Sequence, residues 1–354
     1  LDLAVGNYGQ PNRVYANSGG SLSLAWSSLE TDSTESVAWG DWDGDGDLDL
    51  AVGNSGQPNR VYANNGGSLS LAWSSPETDS TESVAWGDWD GDGDLDLAVG
   101  NGGQPNRVYA NSGGSLSLAW SSPEIDDTTS VAWGDWDGDG DLDLAVGNYG
   151  QPNRVYANSG GSLSLAWSSL ETDSTNCVAW GDWDGDGDLD LAVGNGGQPN
   201  RVYANNGGSL SLAWSSPNAG NARSVAWGDW DGDGDLDLAI GEWHQSIRVY
   251  ANNGGSLSLA WLSLEENATT SMAWGDWDGD GDLDLAVGNR HQPNRVYTNN
   301  GGSLSLAWSS PETASTISVA WGDWDGNGDL DLAVGNAGST LVYANSGGSL
   351  NLAW

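Results

Sequence analysis

The sequence has no phenylalanine and no lysine, and only one cysteine, one methionine and two histidines in 354 residues. Cys177 has no partner in the chain, which excludes an internal disulfide framework and a cysteine-based metal site. It stands where other copies of its segment have Ser, and it reads as an inert, half-buried side chain. All 9 basic residues are Arg and face 50 acidic ones, a formal charge of −41, so a nucleic acid or an anionic membrane would be repelled and cations attracted. Hydrophobic residues make up 37% of the chain but never form a long run. That excludes a membrane-inserted helix and leaves a core built from short alternating segments, which favours sheet. The single methionine, Met272, lies in a strand-like segment and Leu1 falls in mid-repeat, so the chain is expected to be a fragment or a processed product.

What is abundant is Gly (54) and Trp (23), a skew that points to a repeat. The string DWDGDGDLD begins at Asp41, Asp88, Asp135, Asp182, Asp229 and Asp276, and DWDGNGDLD begins at Asp323, each 47 residues after the last. A fixed period of this length marks one structural unit used many times. The unit reads SVAWGD, the Asp loop, LDLAVGN, a GQPN turn, RVYAN, a Gly-Gly turn, LSLAW and a polar stretch such as SSLETDSTE.

Apolar residues alternate within each segment: Val37 with Trp39, Leu48 with Leu50 and Val52, Leu69 with Leu71 and Trp73. A period of two excludes helix, and turns of Asn, Gly and Pro suit an antiparallel meander of four strands. The long polar stretch is what a crossing from the outer edge of one sheet to the inner strand of the next requires. The expected fold is an all-β propeller of 47-residue four-stranded blades, in a single domain over 1–354. Its units are 1–26 (partial), 27–73, 74–120, 121–167, 168–214, 215–261, 262–308 and 309–354. Three of the four strand segments recur eight times and the first strand with its loop seven times. Eight blade positions with the first incomplete are therefore expected, with seven blades and a spare N-terminal hairpin as the alternative and an open solenoid as a further one.

Each Asp loop concentrates hard oxygen donors. In the first, Asp41, Asp43, Asp45 and Asp49 offer side chains at positions 1, 3, 5 and 9, Asp47 offers its carbonyl at position 7, and Gly at positions 4 and 6 allows the tight turn. The same set recurs as Asp88, Asp90, Asp92, Asp94 and Asp96, then as Asp135, Asp137, Asp139, Asp141 and Asp143. It continues with Asp182, Asp184, Asp186, Asp188 and Asp190, and with Asp229, Asp231, Asp233, Asp235 and Asp237. Asp276, Asp278, Asp280, Asp282 and Asp284 follow, and finally Asp323, Asp325, Asn327, Asp329 and Asp331. Five carboxylates within nine residues repel one another without a cation, and oxygen donors without His or Cys suit Ca²⁺. An EF-hand would need Glu at position 12, where Val52 stands, and a calcium β-roll would repeat every nine residues. Seven Ca²⁺ per chain are expected, with the Asn327 loop the weakest because it drops one charge.

With these loops on a 47-residue β period, the chain resembles the FG-GAP and VCBS repeat propellers, whose blades carry D-x-[DN]-x-D-G-x-x-D between the first two strands. DGDGDLDLAVGN and GQPNRVYAN look more like the VCBS branch, since neither an FG nor a GAP tripeptide occurs. The resemblance implies an extracellular or cell-surface module for adhesion, protein interaction or carbohydrate recognition, with calcium in a structural role.

Beyond calcium, Trp42 lies beside the metal at loop position 2, where it can face a ligand, whereas Trp39 and Trp73 sit at core positions. The repeated Arg13 and Tyr15 pair (Arg60 and Tyr62 onward) reads as an Arg balancing nearby carboxylates. The strongest departures from the repeat are Glu242, Trp243 and His244 in one turn and Arg290 and His291 in the same turn of the next unit. They can form a sugar site or an acid–base pair, and drift in an exposed turn explains them equally well. Near-identical units argue against catalysis, which needs different residues converging on one point. The leading expectation is a non-enzymatic binding or scaffolding module with a protein or carbohydrate ligand. A multivalent lectin is the alternative, a polysaccharide-degrading enzyme a remoter one, and self-association through the incomplete unit is also expected.

Overall fold

The computed structural model describes residues 2–354, and its regular structure is all strand. The first strands are β1 (Leu3–Val5), β2 (Arg13–Asn17), β3 (Leu22–Ser27), β4 (Thr34–Gly40), β5 (Asp49–Asn54), β6 (Arg60–Asn64) and β7 (Leu69–Ser74). β4 to β7 form an antiparallel meander in which Val37 faces Val52, Ala38 faces Ala51 and Trp39 faces Leu50. Gly sits where the connections need positive φ: Gly44 and Gly46 (φ 74° and 94°) inside the Asp loop, Gly66 and Gly67 (φ 62° and 88°) in the outer hairpin.

Among the described residues this four-stranded blade occurs seven times, preceded by the three-stranded sheet β1–β2–β3. The fifth, sixth and seventh blades are stitched by extra pairing, such as Trp243 opposite Ala268, into one continuous sheet. In the six blades between the first sheet and the last blade, the second strand is covered on both faces. Leu50 and Val52 pack with Val14 of the preceding blade, whereas Ala51 packs with Val84, Leu97 and Val99 of the following one. All six residues of β5 are buried, which is why this segment reads as the most apolar of the unit.

Two expectations of simple alternation are corrected. Leu48 is 55% exposed, because it still belongs to the loop, and Leu71 is 47% exposed. Tyr62 faces Leu71 but Val61 faces Trp73, so a β-bulge at Ala72 moves Trp73 to the opposite face of the blade. There it meets Tyr109 of the next blade edge to face, with centroids 4.8 Å apart.

The aromatic contact recurs around the molecule, from Trp26–Tyr62 to Trp308–Tyr343. It then closes: Trp354 of the last blade packs on Tyr15 of the three-stranded sheet at 4.4 Å. Asn17 donates its Nδ2 to the Trp324 carbonyl, the link that Asn111 makes to Trp42 between the second and third blades (2.5 Å). Leu22, Trp324 and Val342 share a core there. The three-stranded sheet is thus the first of eight ring positions and no spare hairpin. Closure covers the end faces that an open stack would leave bare.

Candidate functional site

Each Asp loop is held by its own backbone. In the 88–96 loop the Asp88 carboxylate accepts N–H groups of Gly91 (2.9 Å) and Gly93 (3.1 Å), and Asp92 accepts from Asp94 (2.9 Å). Asp94 turns outward to accept from Gly113 of the outer hairpin (2.7 Å). Position 7 does the same in every loop, from Asp47 with Gly66 to Asp329 with Gly347. Asp96 is fully buried and accepts from Trp89 N–H (2.8 Å) and Asn111 N–H (2.7 Å).

Position 1, position 3 and either position 5 or 9 bring carboxylate oxygens within 4.8 Å of one another, as in Asp41, Asp43 and Asp45, or in Asp88, Asp90 and Asp96. Asp135 with Asp137 and Asp143, Asp182 with Asp184 and Asp190, and Asp229 with Asp231 and Asp237 repeat the pattern. Asp41, Asp184 and Asp231 each keep a buried Oδ1 with no hydrogen-bond partner. Orphaned, all-oxygen donors of this kind fit a hard divalent cation. Burial pushes Asp96, Asp143, Asp190, Asp237 and Asp284 up to about 6, against the opposing pull of backbone N–H groups. Asp90, Asp137, Asp184 and Asp231 are also raised, by burial first and then by neighbouring loop carboxylates. In the last loop the Asn327 amide donates to Asp325 (3.3 Å) and to the Asn345 carbonyl (3.1 Å), occupying with a neutral donor an oxygen that a cation would take.

The candidates for ligand contact separate clearly. Trp42 is 3% exposed within the core between two blades, which removes it from the ligand-facing set. The repeated Arg does balance carboxylates: Arg60 binds Asp32 (2.9 Å) and lies near Glu30 (3.8 Å), while Tyr62 donates to Glu30 (3.0 Å). These acids lie on the crossover entering the blade, so the network pins each connection to the blade that follows. The sixth blade lacks both acids, with Asn218 and Gly220 in their places. Glu242 makes up the loss, since it is 1% exposed, pairs with Arg248 and accepts from Asn200 (3.3 Å). A Cβ at Gly220 would collide with its carboxylate. Glu242 is therefore a structural counter-ion rather than a ligand or acid–base group, and Tyr250 pays with an unpartnered hydroxyl.

His244 and His291 are exposed at φ 57° and 59°, the turn position held by Gly56 (φ 73°) and Gly103 (φ 70°) elsewhere. Trp243 and Arg290 do come together. The Arg290 guanidinium lies 5.7 Å from the Trp243 ring centre, and Arg223, which the sequence reading passed over, lies at the same distance. These three line a cavity of about 510 Å³ with Glu82, Thr129 and Asn176. Side chains from many blades can meet only on the ring axis. The signal for Arg223 was present: it and Arg290 are the two Arg outside the repeated RVY position, and the residue two before Val37 or its equivalent varies, reading Glu35, Glu82, Thr129, Asn176, Arg223, Thr270 and Ile317 in successive units. Burial and the Glu82 charge raise the Glu35 carboxyl, and burial and Asp127 raise Glu82.

A closed ring of four-stranded blades with an acidic loop at each complete one defines a repeat β-propeller. The chain belongs to the FG-GAP-like repeat family, which matches it seven times in tandem, over residues 1–52, 41–99, 88–146, 135–193, 182–240, 229–287 and 276–334. No curated protein matches the sequence. Among solved structures it is similar to Sqt1 of Saccharomyces cerevisiae, at 12% identity over 96% of this chain and 92% of that one, with a TM-score of 0.76. Sqt1 of Chaetomium thermophilum, bound to the N-terminus of the ribosomal protein L10, matches at 17% identity, 97% and 93% coverage and a TM-score of 0.72. BBS1N in complex with ARL6DN matches at 15% identity, 87% and 90% coverage and a TM-score of 0.60. At such identities the likeness is one of fold.

Two outcomes follow from this chemistry. The position-9 carboxyls, near 6 in the folded state, lie above the ordinary carboxylate value, so the folded chain holds their protons more tightly than the unfolded one. Their stability contribution is full below the unfolded pKa and is lost as pH rises through about 6. Stripped of divalent cations on a chelating resin, the protein should melt at a higher temperature near about pH 5 than near about pH 7.5, and saturating Ca²⁺ should reverse that order. Separately, Glu242→Asn leaves the Arg248 guanidinium without its carboxylate and should cost about 3–5 kcal/mol. Restoring the usual repeat residues with Asn218→Glu, Gly220→Asp and Ala222→Thr in the same chain should recover most of it, read by chemical denaturation.

Proposed function

We propose that the chain is a non-catalytic binding module, stabilised by Ca²⁺ in its seven Asp loops and displayed outside the cell or at its surface, where it holds a protein or carbohydrate ligand. The observation that carries this reading is the in-register set of carboxylates with buried, unpartnered oxygens at Asp41, Asp184 and Asp231. Bound Ca²⁺ would supply the positive charge that this chain of formal charge −41 lacks. Positions 1 and 3 with position 5 or 9 would hold it, Asn327 replacing one carboxylate in the last loop, while position 9 also anchors the loop to the blade. Loops without a position-12 Glu bind modestly, so occupancy calls for roughly 10⁻⁴ to 10⁻³ M calcium, the extracellular range.

A role in binding is supported by the closed ring with its axial cavity, and by structural neighbours whose complexes hold a protein partner. The repeated Trp no longer favour a lectin with many equal pockets, because Trp42 and its equivalents are core residues. A single carbohydrate site keeps one specific support: the axial Trp243 flanked by Arg223 and Arg290 suits a sugar that carries a carboxylate or sulfate. Repetition around the ring offers no convergent acid–base set, which supports a module without catalysis.

Metal analysis after dialysis against Ca²⁺ should find about seven ions per chain, and chelation at neutral pH should lower the melting temperature steeply. A metal-free protein that melts unchanged by chelator would remove the calcium reading. On a glycan array, binding confined to anionic glycans and lost in Arg223→Ala with Arg290→Ala would select the axial sugar site. No glycan binding would leave protein ligands.

A further inference from the structure

Six of the nine Arg pair with carboxylates: Arg60, Arg107, Arg154, Arg201, Arg248 and Arg295. Arg223 and Arg290 do not. In a chain with 50 acidic residues, they have neither a carboxylate in ionic contact nor a hydrogen-bond partner among the described residues, yet both converge on Trp243. Two like charges around one ring raise each other's energy, and an anion close to both lowers it. The indole positions the two guanidinium groups and leaves their N–H donors free.

The far wall of the same cavity carries the other sign. Glu82 lines it, on the inner strand of the third blade, whereas Arg223 stands on that of the sixth. No cation touches the Glu82 carboxylate among the described residues, and burial and Asp127 hold its carboxyl above the usual range. The two acids are neighbours: a Cβ on Gly102 would meet Asp127 Oδ1 at 2.9 Å and Glu82 Oε1 at 3.7 Å. Between the charged walls, Thr129 and Thr270 donate their hydroxyls to the Thr175 (2.9 Å) and Thr316 (3.0 Å) carbonyls, and Asn176 donates its amide to Ala222 (2.7 Å). What these side chains still offer a ligand is acceptors, the two hydroxyl oxygens and the Asn176 Oδ1. All come from the segments of the unit that vary. The Asp loop is the same in every complete unit except at Asn327, whereas one turn position reads Gly102, Gly196, Trp243 or Arg290 and the crossovers differ as well. Turn and crossover meet, Gly102 bridging to Asp127 and Arg290 to Ser315, at the end of the second strand away from the Asp loop.

We propose that the axial cavity is a binding site for a short peptide of two or three residues with both termini free, its carboxylate held by Arg223 and Arg290 and its ammonium by Glu82. The inference rests on the reading of the chain as a non-catalytic binding module and names a ligand for its axial cavity. A sugar acid meets one wall and leaves Glu82 and Asp127 uncompensated, and a polyanion meets the repulsion of a chain of formal charge −41. A zwitterion carries no net charge and complements both walls. Its charges must stand apart, because Arg223 and Glu82 are not in ionic contact across the axis. In a free amino acid both charges flank one carbon, whereas two or three extended residues reach up to about 7–11 Å. The ammonium and the peptide N–H groups supply donors to the acceptors between the walls. The cavity, about 510 Å³, falls within the roughly 300–1,000 Å³ that encloses small ligands.

The test is calorimetric titration of the 354-residue chain, with Ca²⁺ at neutral pH, against trialanine, N-acetyl-trialanine and trialanine amide. Trialanine should bind 1:1, and either cap should weaken it by at least about tenfold. In Arg223→Ala with Arg290→Ala, trialanine and its amide should bind alike. In Glu82→Gln, trialanine and its acetylated form should bind alike while the amide stays weaker. Both variants should keep the parent melting temperature, and a damaged fold could not produce this crossed pattern. Equal binding of the three peptides, no binding of trialanine, or cap penalties that persist in the variants would overturn the proposal. Arg-dependent binding of D-galacturonate without binding of trialanine would overturn it as well, and would leave the binding module and its sugar site standing.

Discussion

In every complete blade the position-9 carboxylate accepts two backbone N–H groups from different parts of the chain, one from the Trp at loop position 2 and one from the Asn that ends the third strand. Asp96 shows the consequence: it joins Trp89 N–H and Asn111 N–H, and Asn111 in turn reaches the Trp42 carbonyl of the preceding blade and accepts from Gly114 (3.0 Å) and Ser115 (3.1 Å). One buried anion therefore ties together loop, third strand, outer hairpin and neighbouring blade. The loop cannot shift without disturbing the blade interface, and the interface cannot form without the loop in place.

That arrangement explains how so acidic a chain folds. A carboxylate with both oxygens hydrogen-bonded tolerates burial, though at the cost of a raised pKa. The remaining loop carboxylates crowd toward one point, where two N–H groups from the loop glycines neutralise only part of their charge. Crowded oxygens of this kind fit a hard divalent cation, and the blade interface gains from any rigidity the loop acquires.

Repetition makes the departures informative. The sixth blade exchanges its crossover acids, its usual Thr and its usual Asn together, and Glu242 delivers from the turn the charge that the crossover no longer supplies to Arg248. A residue that looked catalytic by type is thus explained by the partner it replaces. By contrast, the residue at position 35 or its equivalent differs from blade to blade, with Thr129, Asn176 and Thr270 each donating to a backbone carbonyl of the next blade, and the ring gathers this variation onto a single axis.

The 47-residue period, the strand alternation and the Asp spacing determined the all-β class, the four-stranded unit and the position of the loops, because these depend on local geometry: two-residue periodicity, glycine at positive φ and carboxylates a few residues apart. What the local pattern could not convey was which face each side chain takes after a bulge, so Leu71 and Trp73, alike in the alternating pattern, part company. Nor could it reveal that Trp42 is sealed between blades, that Glu242 answers Arg248, or that Arg223 meets Trp243 and Arg290. Those relations join residues brought together by ring closure, and closure is settled by packing among all eight positions rather than by any one unit.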